Sequence, residues 1–379
     1  MKYLETDLYH DFECIGGECP ASCCSAGWKI IIDEKTYEKY QYLEEDTKQW
    51  ICGNIEECED GAHMISSDEN GRCPFLNENN LCSIILKKSD DYISEVCQTY
   101  PRKVTRYNDT MFCTVSASCP EVARQIVERN TQIRFITKED ENPAGELKDQ
   151  ALFQALVMGY TALVEILQCK ELLLKEKYLV LLLFVEEIQV AIEQQELEKV
   201  EEITQRYGRK KYRKSVVNSL DNIFSAAFDY WNMVSLLLNI LMESEVELKE
   251  WIYDKVADAL NTLDAATYDT WKRKYKKIER IQEKENLAVQ FMFEYFMDAL
   301  NKKSLYNNLS KMYVMMVYIE IFETYVYNQT GELSGDDRIK IISEISRIME
   351  HTYLLDCICD ELMEENHTMN LIRLLSCIL

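Results

Sequence analysis

Four thiols within eleven residues, in the run Cys14-Ile-Gly-Gly-Glu-Cys19-Pro-Ala-Ser-Cys23-Cys24, constrain this chain more than any other stretch. Further cysteines at 52, 58, 73, 82, 97, 113 and 119 place eleven of the fifteen in the first 119 residues. Thiols at this density are either paired by oxidation or gathered around metal. The start Met-Lys-Tyr-Leu-Glu-Thr-Asp has no secretory pattern, so a cytosolic location is expected. There thiols stay reduced and read as metal ligands.

The nine candidate ligands are Cys14, Cys19, Cys23, Cys24, Cys73, Cys82, Cys97, Cys113 and Cys119. Clustering lowers the loop-closure cost of bringing donors to one point. All-thiolate ligation suits iron-sulfur as well as zinc, and the spacing leaves that choice open. In extended backbone the adjacent Cys23 and Cys24 point oppositely, so they can serve two metals or one irregular cluster. Cys52 and Cys58 divide evenly between ligand and bystander, whereas Cys169, Cys357, Cys359 and Cys377 read as small core residues.

A net charge of -24, from 42 basic and 66 acidic residues, argues against nucleic acid. An acidic surface instead suits a lysine-bearing protein partner. The apolar runs Leu152 to Leu167 and Tyr178 to Val185 are interrupted by Glu165 and by Glu186-Glu187, so no membrane span is expected. Neither a Rossmann fingerprint nor a P-loop occurs among the eleven glycines.

The periodicity predicts a mainly α chain. An irregular cysteine-rich, metal-binding N-terminal domain with short strands (1–136) is followed by a linker (137–145) and a multi-helix domain (146–379). A strand is expected over Lys29 to Asp33, a helix over Glu34 to Gln49, a turn at Asp68 to Gly71, a strand over Met111 to Val115, and a helix from Pro120. Cys73-Pro-Phe-Leu76 and Leu81-Cys82-Ser-Ile84 flank a tight turn that draws two thiols together. Helices are expected over about 176–207, 216–242, 246–263, 268–300, 304–328 and 337–377, the last capped by Ser334-Gly-Asp-Asp337.

In order, Cys14 to Cys24 with Gly27-Trp28, Cys73-Pro-Phe-Leu76 through Cys82, Cys97-x2-Tyr100-Pro101-Arg102, and Ser118-Cys119-Pro120-Glu121 resemble the flagellin lysine-N-methylase family. That family is grouped with cysteine-cluster proteins described as zinc- or iron-chelating. The resemblance covers roughly the first third of the chain. Beyond it, Glu285-Asn286 opens an aromatic-rich helix much as in the family, although Leu287-Ala-Val289 follow where a tyrosine is common.

The resemblance implies a cytoplasmic protein-lysine N-methyltransferase. It would carry an iron-sulfur cluster, or alternatively zinc, and transfer methyl groups from S-adenosylmethionine to flagellin lysines. Trp28, Tyr100 and Tyr107 then become candidates for an aromatic channel favouring a cation, against plain packing around a metal loop. Arg102 is a candidate for a cofactor carboxylate, against a surface ion pair. Tyr100 and Arg102 are the catalytic candidates; Trp28, Arg102, Glu285 and Asn286 are the cofactor-binding ones. Glu285 and Asn286 read equally as buried polar contacts. Cys19-x3-Cys23-Cys24 lacks the third ligand of a radical S-adenosylmethionine motif, so radical chemistry is not expected, and a pocket at the domain junction is. A non-catalytic metal-binding or redox-sensing protein with a helical partner-binding domain is the alternative.

Overall fold

The computed structural model describes every residue except 59–60, 142–147, 225–229, 247, 303 and 365, together with the side chains of 220–224. In chain order the strands are β1 (Lys2–Thr6), β2 (Ile30–Ile32), β3 (Glu56–Glu57), β4 (His63–Ile65), β5 (Arg102–Tyr107), β6 (Thr110–Val115) and β7 (Phe135–Glu139). The N-terminal helices are α1 (Asp7–Asp11), α2 (Glu34–Gln41), α3 (Glu45–Cys52), α4 (Ser83–Lys87), α5 (Glu95–Thr99) and α6 (Pro120–Val127). Then come α7 (Gln150–Gln168), α8 (Leu174–Glu193), α9 (Lys199–Tyr207), α10 (Lys210–Phe224), α11 (Tyr230–Glu243), α12 (Glu250–Thr262) and α13 (Ala265–Tyr275). The chain closes with α14 (Ile281–Tyr295), α15 (Ala299–Lys302), α16 (Leu305–Thr330), α17 (Gly335–Glu350), α18 (Leu354–Glu364) and α19 (His367–Ile378). The protein is therefore mainly helical, with a few short strands in its N-terminal region.

Two sheets organise that region. One runs β5-β6-β1-β7, with β1 parallel to β6 and the other pairs antiparallel; the smaller runs β2-β4-β3, all antiparallel. Strand β1 precedes the cysteine pattern, and nothing in its mixed polarity announces it. Strand β7 takes Thr137 to Glu139, expected as the start of a linker, and pairs them with Lys2 to Leu4. The remainder of that segment from Asn142 to Gly145 lies outside the described residues.

Local rules account for many helix ends. Asp33 accepts from the Thr36 amide at 2.9 Å and starts α2, but Tyr42 to Glu44 break the single helix expected through Gln49 into α2 and α3. Pro120 opens α6. Ser334 and Asp337 form a capping box at α17, and Gly331, at φ 80°, ends α16. The long runs expected at 176–207, 268–300 and 337–377 are each broken, between α8 and α9, between α13 and α14, and into α17, α18 and α19.

Buried apolar side chains fall into two cores. A large one joins Leu8, Phe112 and Val122 of the N-terminal region to Leu156, Phe291, Val314 and Leu374 of the helices. Helix α16 is its axis, buried from Leu305 to Val326, with α14, α17, α18 and α19 around it. A small second core of Ile32, Tyr40, Ile51, Ile65, Phe75 and Ile84 supports the cysteine loops as a separate lobe. By length and composition helix α7 could cross a membrane, so Glu165 does not interrupt its run as much as the sequence suggested. Its apolar residues are instead largely buried, and it packs on α8, α9 and α14.

Candidate functional site

Backbone contacts fold the first cysteine loop onto the second. The Gly27 amide donates to Gly71 O at 3.0 Å, and the Cys73 amide donates to Cys24 O at 2.7 Å. Both glycines have positive φ, and a Cβ on Gly71 would lie 3.2 Å from the Gly27 nitrogen, so this approach requires glycine. Leu76 and Cys82 form a bridge across the turn expected to draw two thiols together.

The thiols sort into two neighbourhoods. Burial pushes Cys97 up to about 12, and charge repulsion from Cys24, Cys73 and Cys82 adds to it. Burial likewise carries Cys73 to about 11, with Cys24 and Cys82 contributing. Elsewhere burial raises Cys119 to about 11, and its thiol neighbours are Cys19 and Cys14. Cys23 and Cys24 hydrogen-bond to each other across the divide; that bond lowers Cys24 to about 7 and raises Cys23. The pair corrects one expectation: Cys23–Ser25 form a turn of 3-10 helix rather than extended backbone, so the two thiols meet each other instead of pointing to opposite sides. Cys113 stands apart in β6, opposite Glu5 and Val104, with Glu5 and Lys138 as its charged neighbours.

Soft thiols gathered in this way have the donor chemistry for iron-sulfur or zinc. Among the described residues, however, no three Cys, His, Asp or Glu side chains converge at metal-binding geometry.

Helix α17 docks the cysteine lobe on the helical body. Arg347 donates from Nε to Ser118 O at 2.9 Å and from Nη2 to Ala21 O at 2.7 Å, and its guanidinium lies 5.6 Å from the Trp28 ring centre. Trp28 meets Tyr100 edge-on at 5.0 Å and His351 at 4.5 Å. This aromatic corner unites the lobe, the segment before β5 and the end of α17. The Tyr100-Pro101 bond within it is cis.

Behind the corner runs a line of polar groups. His351 Nε2 lies 2.9 Å from Ser118 Oγ, which lies 2.5 Å from Ser116 Oγ. Ser116 donates to Glu350 Oε2 at 2.6 Å, and Tyr100 OH is 3.1 Å from Ser118 Oγ. Lys103 Nζ donates to Glu294 at 2.5 Å and to Glu350 at 3.2 Å. The two carboxylate side chains are 2% and 1% exposed, whereas the lysine is 40% exposed. Burial, reinforced by Glu350, pushes Glu294 up to about 7. A cavity of about 30 Å³ adjoins them, lined by Lys103, Tyr107, Phe112, Phe293 and Glu294 among others.

The sequence candidates divide accordingly. Trp28 and Tyr100 meet at the corner. Tyr107 is turned away and donates to Asp298 at 2.5 Å. Arg102 donates to Phe12 O at 2.9 Å and lies over the Phe12 and Tyr9 rings, fastening the chain after α1. Glu285 pairs with buried Lys177 at 2.5 Å, and Asn286 bonds Ile133 N and Thr131 O, so both occupy buried polar contacts. Sequence reasoning missed Lys103, Ser116, Glu294, Glu350 and His351. The legible trace of α17 is a polar stripe at Ser343, Arg347 and Glu350, spaced as one helix face.

The profile of the FliB lysine N-methylase C-terminal domain matches residues 160–377, more than half of the chain. A lysine-N-methylase of Salmonella typhimurium is 29% identical over 129 residues, covering 31% of this chain and 30% of that protein. The flagellar biosynthetic protein FliU of Salmonella muenchen is 28% identical over 127 residues, covering 31% of this chain and 71% of that protein. A lysine-N-methylase of Salmonella choleraesuis is 28% identical over 129 residues, again 31% of this chain and 30% of that protein. The chain thus aligns with less than a third of either lysine-N-methylase. No solved structure matches.

Proposed function

Since the chain belongs to the FliB lysine N-methylase C-terminal domain family, we propose that it is a protein-lysine N-methyltransferase acting on flagellin, with S-adenosylmethionine as methyl donor. The family match over residues 160–377 carries this reading, and the name of one relative, a flagellar biosynthetic protein, supports flagellin as the substrate. The reacting groups are assigned to the corner of Trp28, Tyr100 and His351. Aromatic faces there favour a sulfonium or an ammonium without forming a covalent bond to either.

S-adenosylmethionine, when bound, supplies an electrophilic methyl group. The chain's own residues must deprotonate the substrate ammonium, keep water away and hold the amine in line with that methyl. Buried Ser116 and Ser118 behind the rings, with the Glu294 side chain 2% exposed beside them, provide a dry inner wall. Cys24, Cys73, Cys82 and Cys97 would hold an iron-sulfur cluster, or alternatively zinc. Cys14, Cys19, Cys23 and Cys119 form the neighbouring donor set.

The test is full-length protein purified without oxygen, analysed for iron, zinc and sulfide, then incubated with methyl-labelled S-adenosylmethionine and flagellin. Label on flagellin lysines is expected. Metal content with neither cofactor binding nor label on flagellin would replace this reading by that of a metal-binding or redox-sensing protein.

A further inference from the structure

The hydrogen bonds behind the aromatic corner have one consistent direction. A carboxylate accepts only, so Ser116 Oγ, 2.6 Å from Glu350 Oε2, must spend its proton there. Ser116 is then an acceptor toward Ser118, and it receives both the Ser118 amide at 3.1 Å and the Ser118 hydroxyl at 2.5 Å. With its own proton committed, Ser118 Oγ can only accept from its two remaining neighbours. Tyr100 therefore donates to it, and so does His351, which fixes the His351 proton on Nε2. The other ring nitrogen, Nδ1, is left with a lone pair.

We infer that His351 is the general base of this protein, taking a proton at Nδ1 from a primary ammonium presented at the Trp28 and Tyr100 corner and passing charge inward through Ser118 and Ser116 to Glu350. The inference rests on the methyltransferase reading for the identity of the amine, but its geometry is independent of that reading. An N–H bond of the ammonium breaks, its electron pair stays on the amine nitrogen, and an Nδ1–H bond forms. The Nε2 proton then moves to Ser118 Oγ, the Ser118 proton to Ser116 Oγ, and the Ser116 proton to Glu350 Oε2, leaving a neutral carboxyl group. That proton leaves past Lys103, whose half-exposed side chain links the buried carboxylates to solvent.

The surroundings suit the role. His351 lies at the surface while its ring packs on Trp28, so substrate can reach it. Its charged neighbours are Glu350 and Arg347 on α17 and Lys103 on β5, with the Tyr100 hydroxyl before β5. Desolvation, aided by Lys103 and Arg347, holds the imidazole below its ordinary pKa despite the opposing pull of Glu350, which favours the neutral ring with a free lone pair. A neutral imidazole anchored at one nitrogen is the form a base requires.

Two measurements on the full chain test this. Long-range nitrogen-15 spectra, with the His351 signals assigned by their loss in His351→Gln, should show a protonated Nε2 and a bare Nδ1. A protonated Nδ1 would overturn the inference whether or not the protein methylates anything. In the methylation assay His351→Ala should lose about 10²- to 10⁴-fold in kcat, with partial recovery on adding free imidazole. Undiminished activity, or loss that imidazole does not relieve, would overturn the inference and leave the methyltransferase reading standing. A wild-type protein inactive on flagellin would instead remove that reading, and the tautomer spectrum would still decide the direction of the relay.

Discussion

The cysteine lobe and the helical body are built on opposite principles. The body closes around α16 with dozens of buried apolar side chains and with oppositely charged groups paired inside it. Arg338, 1% exposed, bonds Glu283 at 3.3 Å and Glu323 at 3.2 Å, and Lys284 meets Glu323 at 2.5 Å. The lobe has a six-residue core, one small sheet and long loops carrying thiols at close quarters. A core of that size rarely supports such a length of irregular chain without cross-links or metal. The difference teaches how unequally burial is shared: the body is held by its own core, whereas the lobe has little core of its own, which is why the proposed metal is assigned a structural share there.

The largest effect expected is metal removal. A structural metal contributes on the order of 10 kcal/mol in small thiolate domains, so chelation without oxygen should abolish amide protection across residues 14–99. Protection in α14 and α16 should persist. Equal loss in both regions would erase the distinction drawn between them.

Arg338→Met strikes the other side. Breaking a buried charge pair costs about 3–5 kcal/mol, and here it strands Glu283 and leaves Glu323 to Lys284 alone. The melting transition of the helical signal should drop sharply while metal content is kept. Phe75→Ala should cost about 3–5 kcal/mol as well, but confined to the lobe, with metal retention lost and helical circular dichroism preserved.

The subtlest test is pH. Glu294 is pushed up to about 7 in the folded protein, above its ordinary value, so the folded state holds this proton more tightly than the unfolded one. Its contribution is fully present below the usual carboxylate range and is lost as pH rises toward 7. Glu283, also raised to about 7 by burial, acts in the same direction. Glu294→Gln should therefore show a smaller fall in melting temperature between pH 5 and pH 8 than the wild type. An identical fall would place the titrating proton elsewhere.

The two regions also differed in how much could be read from the chain. Helical periodicity marked the body, and Pro120, Gly331 and Ser334 marked several of its ends, because caps and breakers act locally. The breaks between α8 and α9 and within the last forty residues were hidden, since the apolar spacing continues across them and tertiary packing decides where the chain turns. In the lobe the thiols were visible but their grouping was not, because it depends on Gly27 meeting Gly71 some forty residues away. Strand β1 escaped notice because its parallel partner, β6, lies more than a hundred residues further on.

The corner itself was half legible. Trp28 and Tyr100 stand beside cysteine motifs and drew attention for that reason. Lys103, Glu294, Glu350 and His351 are single polar residues in ordinary helical or strand patterns, and only the packing of α17 and α14 against α6 and the β5-β6 sheet brings them together. Glu285 and Asn286 stood out in sequence, yet they serve to fasten α14.

The most direct measurement is hydrogen exchange on the metal-loaded protein with and without S-adenosylmethionine and a flagellin peptide. The account predicts added protection at Trp28, Tyr100 and Lys103, and Ser116 to Ser118 on the N-terminal side, and at Arg347 to Thr352 from the helical side. Protection confined to the helices, or absent from both, would contradict a site shared between lobe and body.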